Sequence, residues 1–202
     1  NLVAQHMGTY VDNIIGVNQI HSIEAIICDK KFEIAPKADA LVTKTPGLLL
    51  SVLTADCQPV IFADEKNSVI GIAHAGWRGA LNGVLNSTID KMESLGAERK
   101  EISAVIGPCI SQTAYEVGLD FFEKFISSNK NNRNFFSFNS ETKKYHFDLP
   151  NFSLSLLREE NITSIEWTGH CTYSNPKNFF SYRRSCHKNE LDYGRLISTI
   201  ML

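Results

Sequence analysis

Three short runs, residues 48–54, 60–63 and 69–73, are apolar at nearly every position rather than at every second one. A strand with one buried face alternates apolar and polar residues. Continuous apolarity predicts strands covered on both faces, and so a layered molecule with a sheet inside it. Pro46-Gly47 marks a turn before the first run, and the polar stretch 64–67 fits a hairpin connection between the second and third. Asp56-Cys57 lies between the first two runs and His74 follows the last. Two strand ends therefore deliver Cys57 and His74.

Beyond Gly76 and Gly79, residues Leu81, Val84, Leu85, Ile89 and Met92 recur at three- and four-residue steps as far as Gly96. This is the pattern of one amphipathic helix closed by glycine. Further strands are expected at 13–17, 23–28, 102–106, 162–167 and 196–201, helices at 119–126 and 152–158, and an exposed loop over the Asn- and Ser-rich stretch 127–140. Residues 1–7 read as the last turns of a helix closed by Gly8, with no initiator methionine and no cap before it. The expectation is a chain lacking its true N-terminus. No repeat, linker or low-complexity tract divides the 202 residues, so the expected fold is α/β (α+β), mixed β-sheets layered with helices in a single domain.

Charge and cysteine usage exclude several classes. Lys plus Arg number 20 against 22 Asp plus Glu, a formal net charge of -2, so no basic field advertises nucleic acid and no polybasic block an anionic membrane. No stretch approaches the roughly 18–20 apolar residues of a membrane span, and the first residues lack the form of a secretory signal. Five cysteines, an odd number without close pairs, argue against a disulfide framework and for a reducing compartment. The cytoplasm is the expected location.

Cys57 and His74 support two chemistries. His74 takes the Cys57 proton and makes a thiol nucleophile, or thiolate and imidazole are metal ligands that need a third to hold zinc with one position open. His21, between the first two expected strands, is the obvious third. A second cluster runs through Gly169-His170-Cys171-Thr172-Tyr173, Phe179-Phe180-Ser181-Tyr182-Arg183-Arg184 and Gly194-Arg195. Adjacent arginines flanked by aromatics suit an anion beside a planar ligand, and Arg78 adds a cation at the mouth of the first cluster. Cys109 reads as packing rather than ligating.

In chain order, Thr54-Ala55-Asp56-Cys57, His74-Ala75-Gly76-Trp77-Arg78-Gly79, Gly107-Pro108-Cys109-Ile110, Cys171-Thr172-Tyr173 and Phe180-Ser181-Tyr182-Arg183-Arg184 resemble the laccase-domain family. Its bacterial members are labelled polyphenol oxidase or purine nucleoside phosphorylase of the YfiH type. The resemblance runs from about Asn18 to the C-terminus. It implies a single zinc on a His-Cys-His set matched here by His21, Cys57 and His74, which decides the contest toward metal. The family usually places glycine after the first histidine, where Ser22 stands, and carries an earlier Arg-x-Gly-Gly stretch that this sequence starts after.

The implied activity is phosphorolysis of purine nucleosides such as adenosine, inosine and methylthioadenosine, with adenosine deamination at the same site. An older label makes such proteins copper-dependent phenol oxidases, so Cu2+ is an alternative to Zn2+. Six dispersed histidines argue against a multicopper laccase. In this reading Arg78, Arg183 and Arg184 hold phosphate. Asp56 is a proton carrier or the acceptor that orients an imidazole, and Tyr182 or Phe180 stacks on the base. The partners are small molecules, a purine nucleoside and phosphate; the oligomeric state stays open. Competing expectations are an amidase editing cell-wall precursors, as proposed for some relatives, and a binding module that keeps a structural zinc.

Overall fold

The computed structural model describes residues 2–202; Asn1, first residue of the expected N-terminal helix, lies outside them. The strands are β1 (Ile14–Ile15), β2 (Ala25–Ile27), β3 (Ala40–Thr43), β4 (Leu49–Thr54), β5 (Gln58–Asp64), β6 (Val69–Ala75), β7 (Ser103–Ile106), β8 (Glu116–Val117), β9 (Phe136–Asn139), β10 (Lys144–Phe147), β11 (Ser164–Trp167) and β12 (Leu196–Ile200). The helices are α1 (Leu2–His6), α2 (Trp77–Asn82), α3 (Val84–Ser94), α4 (Leu119–Ser128), α5 (Leu149–Glu159) and α6 (Tyr182–His187). Six strands form one mixed sheet in the order β11-β7-β5-β6-β3-β2, and two smaller sheets run β1-β4-β12 and β8-β10-β9. Mixed sheets layered with helices are the expected α/β arrangement.

Strand β6 is buried along its whole length, between β5 and β3. Ala73 and Ala75 pack, with Val60 and Phe62 of β5, against Val84, Leu85, Ile89 and Met92 of α3. Ile70 and Ile72 project from the opposite face onto Ile15 of β1 and Leu50 and Val52 of β4. Successive strand residues face opposite sides, so a helix layer and a sheet layer each take every second residue, and the alternation disappears from the sequence. Strand β4 departs from the expected two-sided burial at Leu53, which is 46% exposed.

Two expectations are corrected. The single helix ending at Gly96 is two helices, because Gly83 adopts φ +107°, a left-handed conformation that ends α2 and starts α3. The expected 127–140 loop contains the end of α4, a 3-10 turn at Lys130–Phe135 and β9. Phe135 and Phe136, sparse among polar neighbours, pack against a cluster of Phe125, Phe147 and Phe152 and fix that stretch. Strands β3, β8, β9 and β10 and helix α6 have no counterpart among the sequence-based expectations.

Register explains what the sheet places together. In the β5–β6 hairpin Gln58 pairs with Ala75 and Pro59 with His74, so Cys57, one residue before β5, meets Gly76. Across β3–β6, Ala40 pairs with Ala73, which sets Asp39 opposite His74; the His74 N–H donates to the Asp39 carbonyl at 2.7 Å. Phe62 is fully buried in the helix-side core of this hairpin. Phe62→Ala is expected to cost about 3–5 kcal/mol, as large-to-small core changes at phenylalanine do, read as a lower urea midpoint at unchanged slope.

Candidate metal centre and cavity

Three separate elements deliver the expected ligands. Cys57 leaves the tight turn after β4, in which Asp56 takes φ +78°; His74 comes from β6; His21 sits ahead of β2 with φ +58°. The donor atoms of His21, Cys57 and His74 lie within 4.8 Å of one another, with Cys57 Sγ 4.0 Å from His21 Nε2. The two imidazoles meet edge to face, 4.8 Å between centroids. Gly76 leaves room for this: a Cβ there would fall 2.8 Å from Cys57 Sγ and 3.2 Å from His21 Cδ2.

Asp39 organises the group. It is fully buried, and its Oδ1 accepts the His21 N–H at 3.0 Å and meets His74 Nδ1 at 2.8 Å. Its Oδ2 accepts from the Ile20 N–H at 3.2 Å, the Ser22 N–H, and the Ser22 hydroxyl at 2.8 Å. With Nδ1 engaged, His74 keeps Nε2 as its free donor. Ser22, where the resembled family usually has glycine, holds no left-handed conformation; its hydroxyl adds one more bond to the carboxylate.

Burial raises the Asp39 carboxyl, but hydrogen bonds from His74 and Ser22 outweigh it and hold the group at about 2. Burial also opposes charge on His74, yet its bonds to Asp39 and Cys57 push it up to about 9. The Cys57 thiol, raised by burial, is brought down to about 7 by His21 and His74. A sulfur that ionises readily, two imidazoles and a carboxylate behind one of them suit a metal ion. A Cys-His nucleophile needs a single imidazole; a second on the open side of the thiol is what a metal centre needs. The residues fit the metal.

His21 and Cys57 line a cavity of about 540 Å³ with Asp56, Arg78, Tyr115, Tyr182 and Arg183 on its walls, within the roughly 300–1,000 Å³ of small-molecule sites. His74 opens instead onto a neighbouring cavity of about 380 Å³, which Arg195 also lines. Arg78 lies over the Trp77 ring, 4.9 Å from its centroid. Arg183 is anchored: its backbone N–H donates to Asp56 Oδ2 at 2.6 Å, its Nη1 to the Glu116 carbonyl at 2.7 Å, and its guanidinium lies 5.4 Å from the Tyr115 ring centroid. Tyr182 stands at the cavity beside Tyr193, ring centroids 5.0 Å apart.

Three expectations change here. Arg184 does not reach the cavity; its guanidinium donates to the carbonyls of Thr172, Tyr173 and Phe179, and it ties the C-terminal loop together. Asp56 does not orient an imidazole, since Asp39 does; Asp56 binds the Thr172 hydroxyl at 2.6 Å and the Arg183 N–H, joining two loops at the wall. Phe180 lies against Gly194 and is not part of the cavity lining. Cys109 is fully buried, as a packing residue should be. The sequence reading missed Asp39 and Tyr115. The short apolar run 40–42 behind Asp39 was the available signal for the first, and the Tyr115 position carried none.

The chain matches a family described as multi-copper polyphenol oxidoreductase laccase over residues 1–202. A protein named purine nucleoside phosphorylase in Rickettsia prowazekii is 36% identical over 190 residues, 94% of this chain and 78% of that protein. One named adenosine deaminase RL5, from an unknown prokaryotic organism, is 31% identical over 193 residues, 90% of this chain and 74% of its own. A Neisseria meningitidis protein of solved structure superposes with a TM-score of 0.87 at 34% identity, covering all of this chain and 78% of that one.

Asp39→Asn keeps the shape and removes the charge behind His74; metal affinity is expected to fall about 10–100-fold, measured by competition with a chelating dye. The pH dependence of stability in metal-stripped protein follows from the same group. Asp39, held low, contributes above its ordinary 3.8, and that contribution is lost as pH falls toward 2. His74, held high, contributes below 6.5, and its share is lost as pH rises through about 9. Cys57, held at about 7 against its ordinary 9.0, gains its share over the range in which His74 loses its own, so the acid limb between 3.8 and about 2 is the one expected to show in urea titrations of the stripped protein across pH, and Asp39→Asn to flatten it.

Proposed function

The chain belongs to the multi-copper polyphenol oxidoreductase laccase family, and on that premise we propose that it is a zinc-dependent purine nucleoside phosphorylase that also deaminates adenosine. The observation that carries this reading is the convergence of His21, Cys57 and His74, the first two of them at a cavity with Arg78 and Arg183 on its walls. The similarity to proteins named purine nucleoside phosphorylase and adenosine deaminase supports it. One thiolate and two imidazoles make a donor set suited to zinc. Bound there, the ion supplies a Lewis acid beside the substrate.

In phosphorolysis a phosphate oxygen forms a bond to C1′ of the pentose as the C1′–N9 bond breaks and its electron pair leaves with the purine. The products are the free base and a pentose 1-phosphate. The residues of this chain bind and orient. Arg183, fixed through its own backbone and Glu116, and Arg78, laid on Trp77, hold the phosphate dianion close to the sugar. Asp56 acts through Arg183 as a positioning residue. Tyr182, beside Tyr193, offers a ring for the purine. In deamination water adds at C6 of adenosine and ammonia leaves, giving inosine, with no phosphate consumed.

An oxidase of the multicopper kind needs a further histidine cluster for oxygen, and among the described residues His21, Cys57 and His74 form the one His/Cys-containing group with ligand spacing. The five cysteines are free, consistent with the cytoplasm as the location, and no helix among the described residues is long and apolar enough to cross a membrane.

Zinc-loaded protein incubated with adenosine is expected to release adenine and ribose 1-phosphate only when phosphate is present, and inosine with or without it. Chromatography that finds neither product above a Cys57→Ala control overturns the reading. Arg78→Ala is expected to raise the phosphate KM by about ten- to a hundredfold, the loss of one charge-assisted contact.

A further inference from the structure

Tyr115 ends a short 3-10 turn, Gln112–Ala114, and its phenol ring is wedged between two different surroundings. On one side the ring packs on Phe121 and Phe147, at 6.0 and 5.9 Å between centroids, as part of the aromatic core. On the other it meets the Arg183 guanidinium and lines the cavity that holds His21 and Cys57. Its main chain is fixed too, since its N–H donates to the Gln112 carbonyl and its carbonyl accepts the Phe147 N–H. The residue is rigid, and no hydrogen bond to its hydroxyl is formed by the described residues.

The surrounding charges say what that hydroxyl is for. The one carboxylate on the cavity wall, Asp56, has both oxygens taken by Thr172 and the Arg183 N–H. Arg78 forms no ion pair among the described residues, and Arg183 spends Nη1 on Glu116, leaving its other nitrogens. Two guanidinium groups with open donors and a phenol whose O–H has no partner among the described residues thus share one wall, and the carboxylate on that wall is already engaged. Donors without acceptors, held in place from behind, make a site for a ligand rich in acceptors and negative charge.

We infer that Tyr115 is a phosphate-binding residue, its hydroxyl donating to an oxygen of the co-substrate dianion that Arg78 and Arg183 also grip. The assignment rests on the phosphorolysis reading for the identity of the anion. A phenol suits the place because it adds a third donor to the two cations without adding charge. The aromatic ring also stacks beneath Arg183 and keeps that guanidinium aimed at the same anion.

The test is Tyr115→Phe, which keeps the ring, its packing and its contact with Arg183 while deleting the hydroxyl. Inorganic phosphate binding to zinc-loaded protein is followed by calorimetry, and phosphate and nucleoside KM values by a base-release assay. The expected result is a phosphate Kd and KM about ten- to a hundredfold higher, with the phosphate KM rising more than the nucleoside KM. An unchanged phosphate Kd, or a nucleoside KM that rises as much as the phosphate KM, overturns the assignment. A thermal midpoint matching the wild type separates these outcomes from misfolding, and Tyr115→Leu, which also loses the ring under Arg183, is expected to bind phosphate more weakly still. If Tyr115→Phe weakens phosphate binding while the wild type releases no base, the assignment stands and the phosphorylase reading falls. If both proteins release base with the same phosphate KM, the reverse holds.

Discussion

The Asp39 carboxylate is the contact on which the candidate metal centre depends. It sits wholly inside the protein, where an unpaired charge costs several kcal/mol, and it is offset by five hydrogen-bonding groups: three backbone N–H groups of residues 20–22, the Ser22 hydroxyl and His74 Nδ1. One buried anion therefore does two jobs. It folds the irregular segment that carries His21 down onto β3, and it fixes which nitrogen of His74 is free. Remove the whole side chain and the same three N–H groups are left without an acceptor, so segment and ligand loosen together.

The second constraint is the register of β6. Because His74 is cross-strand from both Pro59 and Asp39, the hairpin brings Cys57 to one side of it and the carboxylate to the other with no long-range search by flexible loops. Sites built on paired strands are held more tightly than sites built on loops alone, and the two-layer burial of β6 stiffens the strand further. His21 is the exception, a loop residue, and it is the one that Asp39 has to hold through the backbone.

What was legible in the sequence follows from the range of the signal. Cys57 and His74 flank one hairpin, so apolar runs and a polar connection suffice to bring them together. Asp39 immediately precedes a four-residue strand whose partner lies some thirty residues on; nothing local distinguishes its carboxylate from a solvated one. Arg183 and Arg184 look equivalent as a pair, yet on a helix neighbours diverge by ~100°, so one reaches the cavity wall and the other turns into the carbonyls of its own loop. Gly83 splits a helix whose apolar period runs on across the break, because periodicity records which face is buried and not whether the backbone continues. The phenylalanines of residues 135 and 136 were hidden by the polar composition around them, and burial of a few large rings decided that stretch.

Two of the non-glycine residues in the left-handed region, His21 and Asp56, belong to the site, and each neighbours or is a residue whose side chain the chemistry uses. That conformation costs an ordinary residue roughly 1–2 kcal/mol. It persists only where the surroundings determine it, and here they do so by different means. At His21 the determinant is outside the residue: Asp39 collects the N–H groups on both sides of it. At Asp56 it is the residue's own carboxylate, bound to Thr172 and to the Arg183 N–H, while its carbonyl accepts the Ile110 N–H at 3.0 Å. The strain at Asp56 turns the chain sharply enough for Cys57 to face the two imidazoles, and the bonds that stabilise that turn are the same ones that set Arg183 on the wall of the cavity. The candidate ligand set and the cavity wall that carries Arg183 are thereby coupled through one residue.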